Sequence, residues 1–261
     1  MISDPAVIRE FHDGVTVLRL NRPTTRNALT DEIKTQLCDY IPQFFAAEAE
    51  RCLVLTGSGE AFCAGGDLQT LRSGQTVAQT RARMAKSHLW ARLLLTGEKP
   101  VVMAVNGAAA GAGFGLALLG DLTIAVERAY FLPGFFSVGV AADLAVPLTL
   151  SRAVGVPRAK QILFCNKKLS AAEALQLGLI AELVSPARLF ERAMELARQL
   201  ATGPTLAIGL TKNLINASFD RSAELYFTAE VAAQAIAFAS SDCKEGVEAF
   251  LGKRAPRFIG R

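Results

Sequence analysis

From Pro100 to Gly120 the chain runs PVVMAVNGAAAGAGFGLALLG without a charged side chain, bracketed by Lys99 and Asp121. A run of this kind has two fates. About 20 apolar residues cross a bilayer as a helix, or they are buried when the chain folds. Asn106 and the glycines at 107, 111, 113, 115 and 120 argue against a membrane helix, as does the lack of a second such segment, a basic flank or an aromatic belt. The GAAAG at 107–111 does carry small residues four apart, as some membrane helices do. Asp4, Arg9 and Glu10 interrupt the start of the chain, so no leader with an apolar centre is read there. The expectation is a cytoplasmic protein with no membrane span, in which the uncharged run is core.

The remaining composition supports folding. Of 261 residues, 51% are hydrophobic and 20% charged, which excludes a disordered or low-complexity chain and allows one large α/β domain or a main domain with an appendage. Cys38, Cys52, Cys63, Cys165 and Cys243 form no CxxC pair and are odd in number, the pattern of reduced thiols. His12 and His88 are the only histidines, so no metal site is expected. The net charge of +4 is concentrated in the C-terminal tail, where Lys244, Lys253, Arg254, Arg257 and Arg261 face only Glu245 and Glu248. A local basic tail fits one phosphate-bearing ligand better than a nucleic acid, and no nucleic-acid partner is expected. A solvated C-terminal end explains the same charges.

Along the chain, short β-rich runs alternate with helical ones. Residues 6–11 and 14–20 read as a hairpin, 30–48 as an amphipathic helix with Thr30 as N-cap, 51–57 and 99–107 as buried strands, 77–95 as a helix, 112–119 as a short helix and 121–132 as two short strands. Runs this apolar belong to a parallel sheet covered on both faces. Beyond residue 143 the pattern is mainly helical, with LIAELV at 179–184 the strand-like exception. This predicts an α/β core over residues 1–200 and a helical region over 201–261.

Two backbone-rich motifs follow buried strands. FCAGGDL at 62–68 is read as a loop in which small residues let the main chain meet a ligand and Asp67 caps the next helix. An ordinary glycine turn explains it as well. NGAAAGAGFGLALLGD at 106–121 is read as strand, glycine turn and helix; it lacks the Gly-Lys-Ser/Thr of a phosphate loop, and what it offers is a helix N-terminus suited to a developing oxyanion. On adjacent parallel strands, two such turns aim two N–H groups at one oxygen. Asn106-Gly107 is read as the way into that site.

Together with LNRPTTRNAL (20–29), AFCAGGDL (61–68), KPVVMAVNGAAAGAG (99–113), SRAVG (151–155), LSAAEALQLGLIAELV (169–184) and EGVEAFLGKRAPRF (245–258), the chain resembles the crotonase, or enoyl-CoA hydratase/isomerase, superfamily over almost its whole length. The resemblance implies an α/β fold, a spiral of repeated ββα units with a C-terminal helical region used in trimerisation, as a homotrimer or hexamer. It implies an acyl-CoA thioester as substrate, with coenzyme A carried as part of it and no separate cofactor. The oxyanion amides fall on Gly66 and Ala112, the latter replacing a frequent glycine after Gly111. Coenzyme A contacts fall on Arg26, Ala64 and Leu68, and on Phe250 and Lys253, often offered to a neighbouring subunit.

The same resemblance departs from the hydratases at the proton-transfer groups. The positions of their two glutamates hold Gly115 and Phe135 here, whereas Asp143 matches the single acid of several Δ3,Δ2-enoyl-CoA isomerases. One carboxylate suffices to shift a double bond, and Phe114, Phe131, Phe135, Phe136 and Val140 are expected to desolvate it. From local sequence alone, Asp143 reads rather as the N-cap of a helix at 144–154. His88 with Asp143 and Phe135 matches the 4-chlorobenzoyl-CoA dehalogenase branch, or His88 lines the pocket or is a plain surface residue. The expected activity is an enoyl-CoA isomerase; the alternatives are a hydratase, a dehalogenase-like hydrolase and a non-catalytic acyl-CoA-binding member.

Overall fold

Two strands joined by a tight turn, β1 (Val7–His12) and β2 (Val15–Leu20), form the expected antiparallel hairpin, and Asp13 and Gly14 turn it with φ of 48° and 85°. The computed structural model describes residues 4–72 and 74–261. Helix α1 (Asp31–Ala46) starts at Thr30, whose hydroxyl accepts from the Ile33 N–H at 3.4 Å, and buries Ile33, Leu37, Ile41 and Phe44. That stripe at helical spacing is what the amphipathic pattern required.

From there the chain repeats one unit. A long strand is followed by a three-residue strand and then by helix: β3 (Cys52–Gly57), β4 (Ala61–Cys63), α2 (Leu68–Arg72) and α3 (Val77–Thr96); then β5 (Val101–Val105), β6 (Ala108–Ala110) and α4 (Ala112–Leu118); then β7 (Leu122–Val126), β8 (Tyr130–Leu132), α5 (Val146–Val154) and α6 (Val156–Phe164). A two-residue strand β9 (Leu169–Ser170), α7 (Ala171–Gln176) and β10 (Glu182–Val184) follow. The chain ends in α8 (Leu189–Ala201), α9 (Thr205–Ala217), α10 (Ala223–Ala239) and α11 (Ser241–Leu251).

The long strands form one sheet in the order β1-β2-β3-β5-β7-β10, parallel from β2 onward. Every residue of β3 and β5 is buried, so the sheet is covered on both faces. The short strands form a second sheet in the order β4-β6-β8-β9. These are the expected ββα units wound into a spiral. The uncharged run at 100–120 is β5, β6 and α4, and among the described residues no helix is long and apolar enough to cross a membrane.

Three local readings are corrected. Residues 61–63 and 108–110, read as loop and turn, are paired strands of the second sheet, because their hydrogen bonds are made across to each other, Ala61 opposite Ala108, rather than within a periodic pattern. The strand read at 179–184 is confined to Glu182–Val184 beside β7. The helix read at 144–154 starts at Val146 with Ala145 as its N-cap, so Asp143 does not cap it. All five cysteines are free; Cys63, the last residue of β4, is fully buried, and burial pushes its thiol up to about 12.

Candidate active site

The ends of β4 and β6 lie side by side and each runs into a glycine turn. Gly65, at φ 101°, presses its backbone on the second turn, since a Cβ there would come 2.7 Å from the Ala110 carbonyl oxygen and 3.4 Å from the Ala112 nitrogen. Gly113 is pressed in return, with a Cβ position 2.1 Å from the Cys63 carbonyl oxygen. Only glycine lets two main chains approach this closely. Gly66 and Ala112 therefore sit on facing segments. Ala112 opens α4 with Gly111 as N-cap at φ 52°, so its N–H belongs to the first turn and has no helical acceptor. At Gly66 the bridge to Leu29 uses the neighbouring carbonyl: the Leu29 N–H donates to Gly65 O at 2.7 Å, leaving the Gly66 amide outside the pairing. Asp67 accepts from the Gln69 N–H at 3.0 Å, the cap expected for α2.

Two buried asparagines hold this architecture from behind. Asn27 donates to Ala61 O at 2.8 Å and Ser58 O at 2.9 Å; Asn106 accepts from the Gly57 N–H at 3.2 Å and donates to Gly59 O at 2.9 Å. Asn106, between β5 and β6, ties the β3–β4 turn to β5, and its neighbour Gly107 lines a cavity together with Arg26. Asn27 escaped sequence reading as an individual residue, because an asparagine in a polar loop signals nothing until the strand it crosses is known.

Asp143 lies on the loop between a one-turn helix at Phe136–Val138 and α5. The next two residues, Leu144 and Ala145, both take left-handed backbone, φ 46° and 59°, at a cost of roughly 1–2 kcal/mol each for side chains with a Cβ. Leu144 is buried against α4: a Cβ at Gly115 would lie 2.7 Å from the Leu144 Cβ and 2.8 Å from its carbonyl oxygen. Gly115 is thus the seat that brings the Asp143 loop beside the start of α4. The volume a side chain at 115 needs is filled by Leu144.

Asp143 Oδ1 is buried without a hydrogen-bond partner. Burial raises its pKa above the ordinary carboxylate value, and the charges of His88, Arg83 and Lys34 oppose that rise. Phe114, Phe131 and Phe135 are buried as expected, and Phe114 and Phe131 are 5.6 Å apart; Phe136 is not part of this wall, being exposed and tilted against Phe164 at 5.9 Å. His88 is on the exposed side of α3, though its charge reaches Asp143. Arg83 was missed. It continues the inward stripe of Ser87, Trp90, Ala91 and Leu94 by one turn, and its Nε is buried without a partner. A cation at a core-facing helical position was the available signal.

The remaining predicted residues lie on separate parts of the fold. The Arg26 carbonyl accepts from the Ala64 N–H at 2.9 Å, and Arg26 lines a cavity of about 540 Å3 with Glu60, Arg128 and Tyr130. Leu68 is 62% exposed at the start of α2. Phe250, 84% exposed, and Lys253 stand at the far end of α11 and are not brought to Asp143 within one chain. The basic tail is also less available than its charges imply. Arg254 pairs with Glu245 at 2.6 Å and Arg261 with Glu48 at 3.2 Å, while Asp242 accepts from the Ile259 and Gly260 N–H groups at 2.6 and 2.8 Å.

A spiral of ββα units whose inner strands end in two abutting glycine turns, one opening a helix, is the fold of the crotonase superfamily. Residues 10–261 match the family described as enoyl-CoA hydratase/isomerase. The 1,2-epoxyphenylacetyl-CoA isomerase of Escherichia coli K12 is 38% identical over 258 residues, covering 98% of each chain. A 4-chlorobenzoyl coenzyme A dehalogenase of an Arthrobacter species is 35% identical over 216 residues, 82% of this chain and 78% of that protein. A crystal structure of an enoyl-CoA hydratase/isomerase from Cupriavidus metallidurans CH34 superposes with a TM-score of 0.91 at 34% identity, covering 100% of this chain and 98% of that one. The chain belongs to the enoyl-CoA hydratase/isomerase family and is an acyl-CoA enzyme.

Proposed function

We propose that this enzyme isomerises an enoyl-CoA thioester from the Δ3 to the Δ2 form through a thioester dienolate, with Asp143 as the only proton carrier. One observation carries this reading: a single half-buried acid, Asp143, beside a position closed to any second one, since Leu144 occupies the space a side chain at Gly115 would need. Phe135, the other position at which the family's hydratases carry a glutamate, is a buried ring. In the proposed reaction the Asp143 carboxylate takes a proton from C2, the electron pair moves to the thioester oxygen, and the Gly66 and Ala112 amides hold the oxyanion. The same carboxyl then returns the proton to C4, so nothing is consumed. Each amide is worth about 3 kcal/mol of transition-state stabilisation.

The coenzyme A moiety is assigned to Arg26, Ala64 and Leu68 on the approach, with Gly111, Phe135 and His88 toward the acyl end. Phe250 and Lys253 are assigned to a neighbouring subunit's site in a trimer or dimer of trimers, which fits their exposure and their distance along the fold from Asp143. Residues 1–200 are proposed to be the catalytic core and 201–261 the assembly region. No metal or separate cofactor enters this scheme.

A second reading has its own observation. The charge of His88 reaches Asp143, as a dehalogenase-like hydrolase needs if the aspartate attacks an aryl ring and the histidine activates water. One panel separates the readings: 2-enoyl, 3-enoyl and 4-chlorobenzoyl thioesters given to the wild type and to D143N. The expected result is 3-enoyl isomerisation in the wild type, lowered by about 10²–10⁴-fold in D143N with acyl-CoA binding retained. Undiminished isomerisation in D143N overturns the mechanism.

A further inference from the structure

Asn166 follows α6 in left-handed backbone, φ 48°, the conformation that commonly ends a helix. The turn itself is closed by the main chain: the Asn166 N–H donates to Leu163 O at 3.1 Å and the Lys167 N–H to Ile162 O at 2.9 Å. Its side-chain amide is therefore available for something else, and it reaches across to another element. Oδ1 accepts from the Gly134 N–H at 2.7 Å, and Nδ2 donates to Ser137 Oγ at 2.9 Å. These two bonds grip the segment on either side of Phe135, the buried ring at the acyl end.

The gripped segment is also the neighbour of the oxyanion turn. The Gly111 N–H donates to Leu132 O at 2.8 Å, and the Cβ position of Gly134, at φ 71°, lies 3.7 Å from the Gly111 nitrogen. Leu132–Gly134 thus forms one wall of the turn that presents the Ala112 amide. A shift of Gly134 moves both Phe135 and the strand end on which Gly111 hangs.

We propose that Asn166 is a positioning residue for the oxyanion site: its amide fixes Gly134 and Ser137, and through them the Gly111–Ala112 turn and the Phe135 wall. This rests on the assignment of Ala112 as an oxyanion donor. A structural role in ending α6 needs only the left-handed backbone, which glycine supplies equally well. Positioning needs the side-chain oxygen that accepts from Gly134.

The test is the C=O stretching frequency of a non-reacting saturated acyl-CoA bound to the wild type, N166G and N166D, with kcat and KM for 3-enoyl-CoA measured alongside. N166G keeps the backbone and removes both side-chain bonds; N166D keeps the acceptor for Gly134. The expected result is a wild-type carbonyl moved to lower frequency, a smaller movement in N166G with kcat down about tenfold and KM little changed, and recovery of both in N166D. A carbonyl equally polarised in N166G and wild type overturns the proposal while leaving the oxyanion assignment intact. A wild-type carbonyl at its solution frequency sinks the assignment and the proposal together. Failure of N166D to recover either readout, with N166G impaired, also counts against the Gly134 bond as the means.

Discussion

Asp143 is held in two opposing environments, and their balance sets its chemistry. Burial favours the neutral acid, whereas His88, Arg83 and Lys34 favour the carboxylate, and burial prevails. A carboxyl whose folded pKa lies above its ordinary value of 3.8 binds its proton more tightly folded than unfolded. Its ionisation therefore costs stability as pH rises through the folded pKa. D143N should accordingly be more stable than wild type to urea at pH 7, with the difference vanishing as the pH falls well below 3.8, where the acid is protonated in both states. An advantage that grows toward low pH would contradict this. The acid limb of kcat/KM should lie above the ordinary carboxylate range and disappear with D143N. Asp143 was legible in the sequence only through its family match, because local pattern favours a helix cap. The left-handed pair Leu144-Ala145, with Ala145 as the N-cap of α5, excludes the cap.

Among the elements, α3 carries Arg83 and His88, whose charges act on the acid, and α9 locks its end. Lys212, buried in α9, donates to Leu94 O at 2.7 Å and to Asp121 at 2.9 Å, while Asn216 donates to Leu95 O at 2.8 Å, so α9 satisfies the last carbonyls of α3. Asp121 in turn accepts from the Val101 N–H at 2.8 Å at the start of β5. One cation thus joins the C-terminal region to a helix of the site and to the sheet. K212M should lower unfolding free energy by about 3 kcal/mol by leaving Asp121 half-buried and unpaired, and D121N added to K212M should recover part of it. Equal losses in single and double variants, read from urea midpoints, would exclude this account. Helices and long strands were legible because their periodicity is local. The three-residue strands were not, because β4 and β6 exist only by pairing with each other.

On the scale of the whole molecule, the C-terminal helices are unfinished in one chain. α10 buries none of its residues, and Phe227, Val231 and Phe238 are all more than 60% exposed. Apolar surface of this extent is ordinarily covered by a partner. With the proposed trimer or dimer of trimers, light scattering should give about three or six times the chain mass of 27.8 kDa, and V231D/F238D should lower it toward one chain. A stable wild-type monomer would remove the role assigned to Phe250 and Lys253. The sequence by itself determined the alternation of long strands and helices, the two glycine turns and the family. Those follow from local periodicity, backbone steric demand and residue identity. Only the tertiary structure decided that the turns abut, that Leu144 closes the space at Gly115, that the charge of Arg83 is felt at Asp143 and that Asn166 grips the Phe135 segment. Each of these joins residues distant along the chain, and which distant residues meet is fixed by packing.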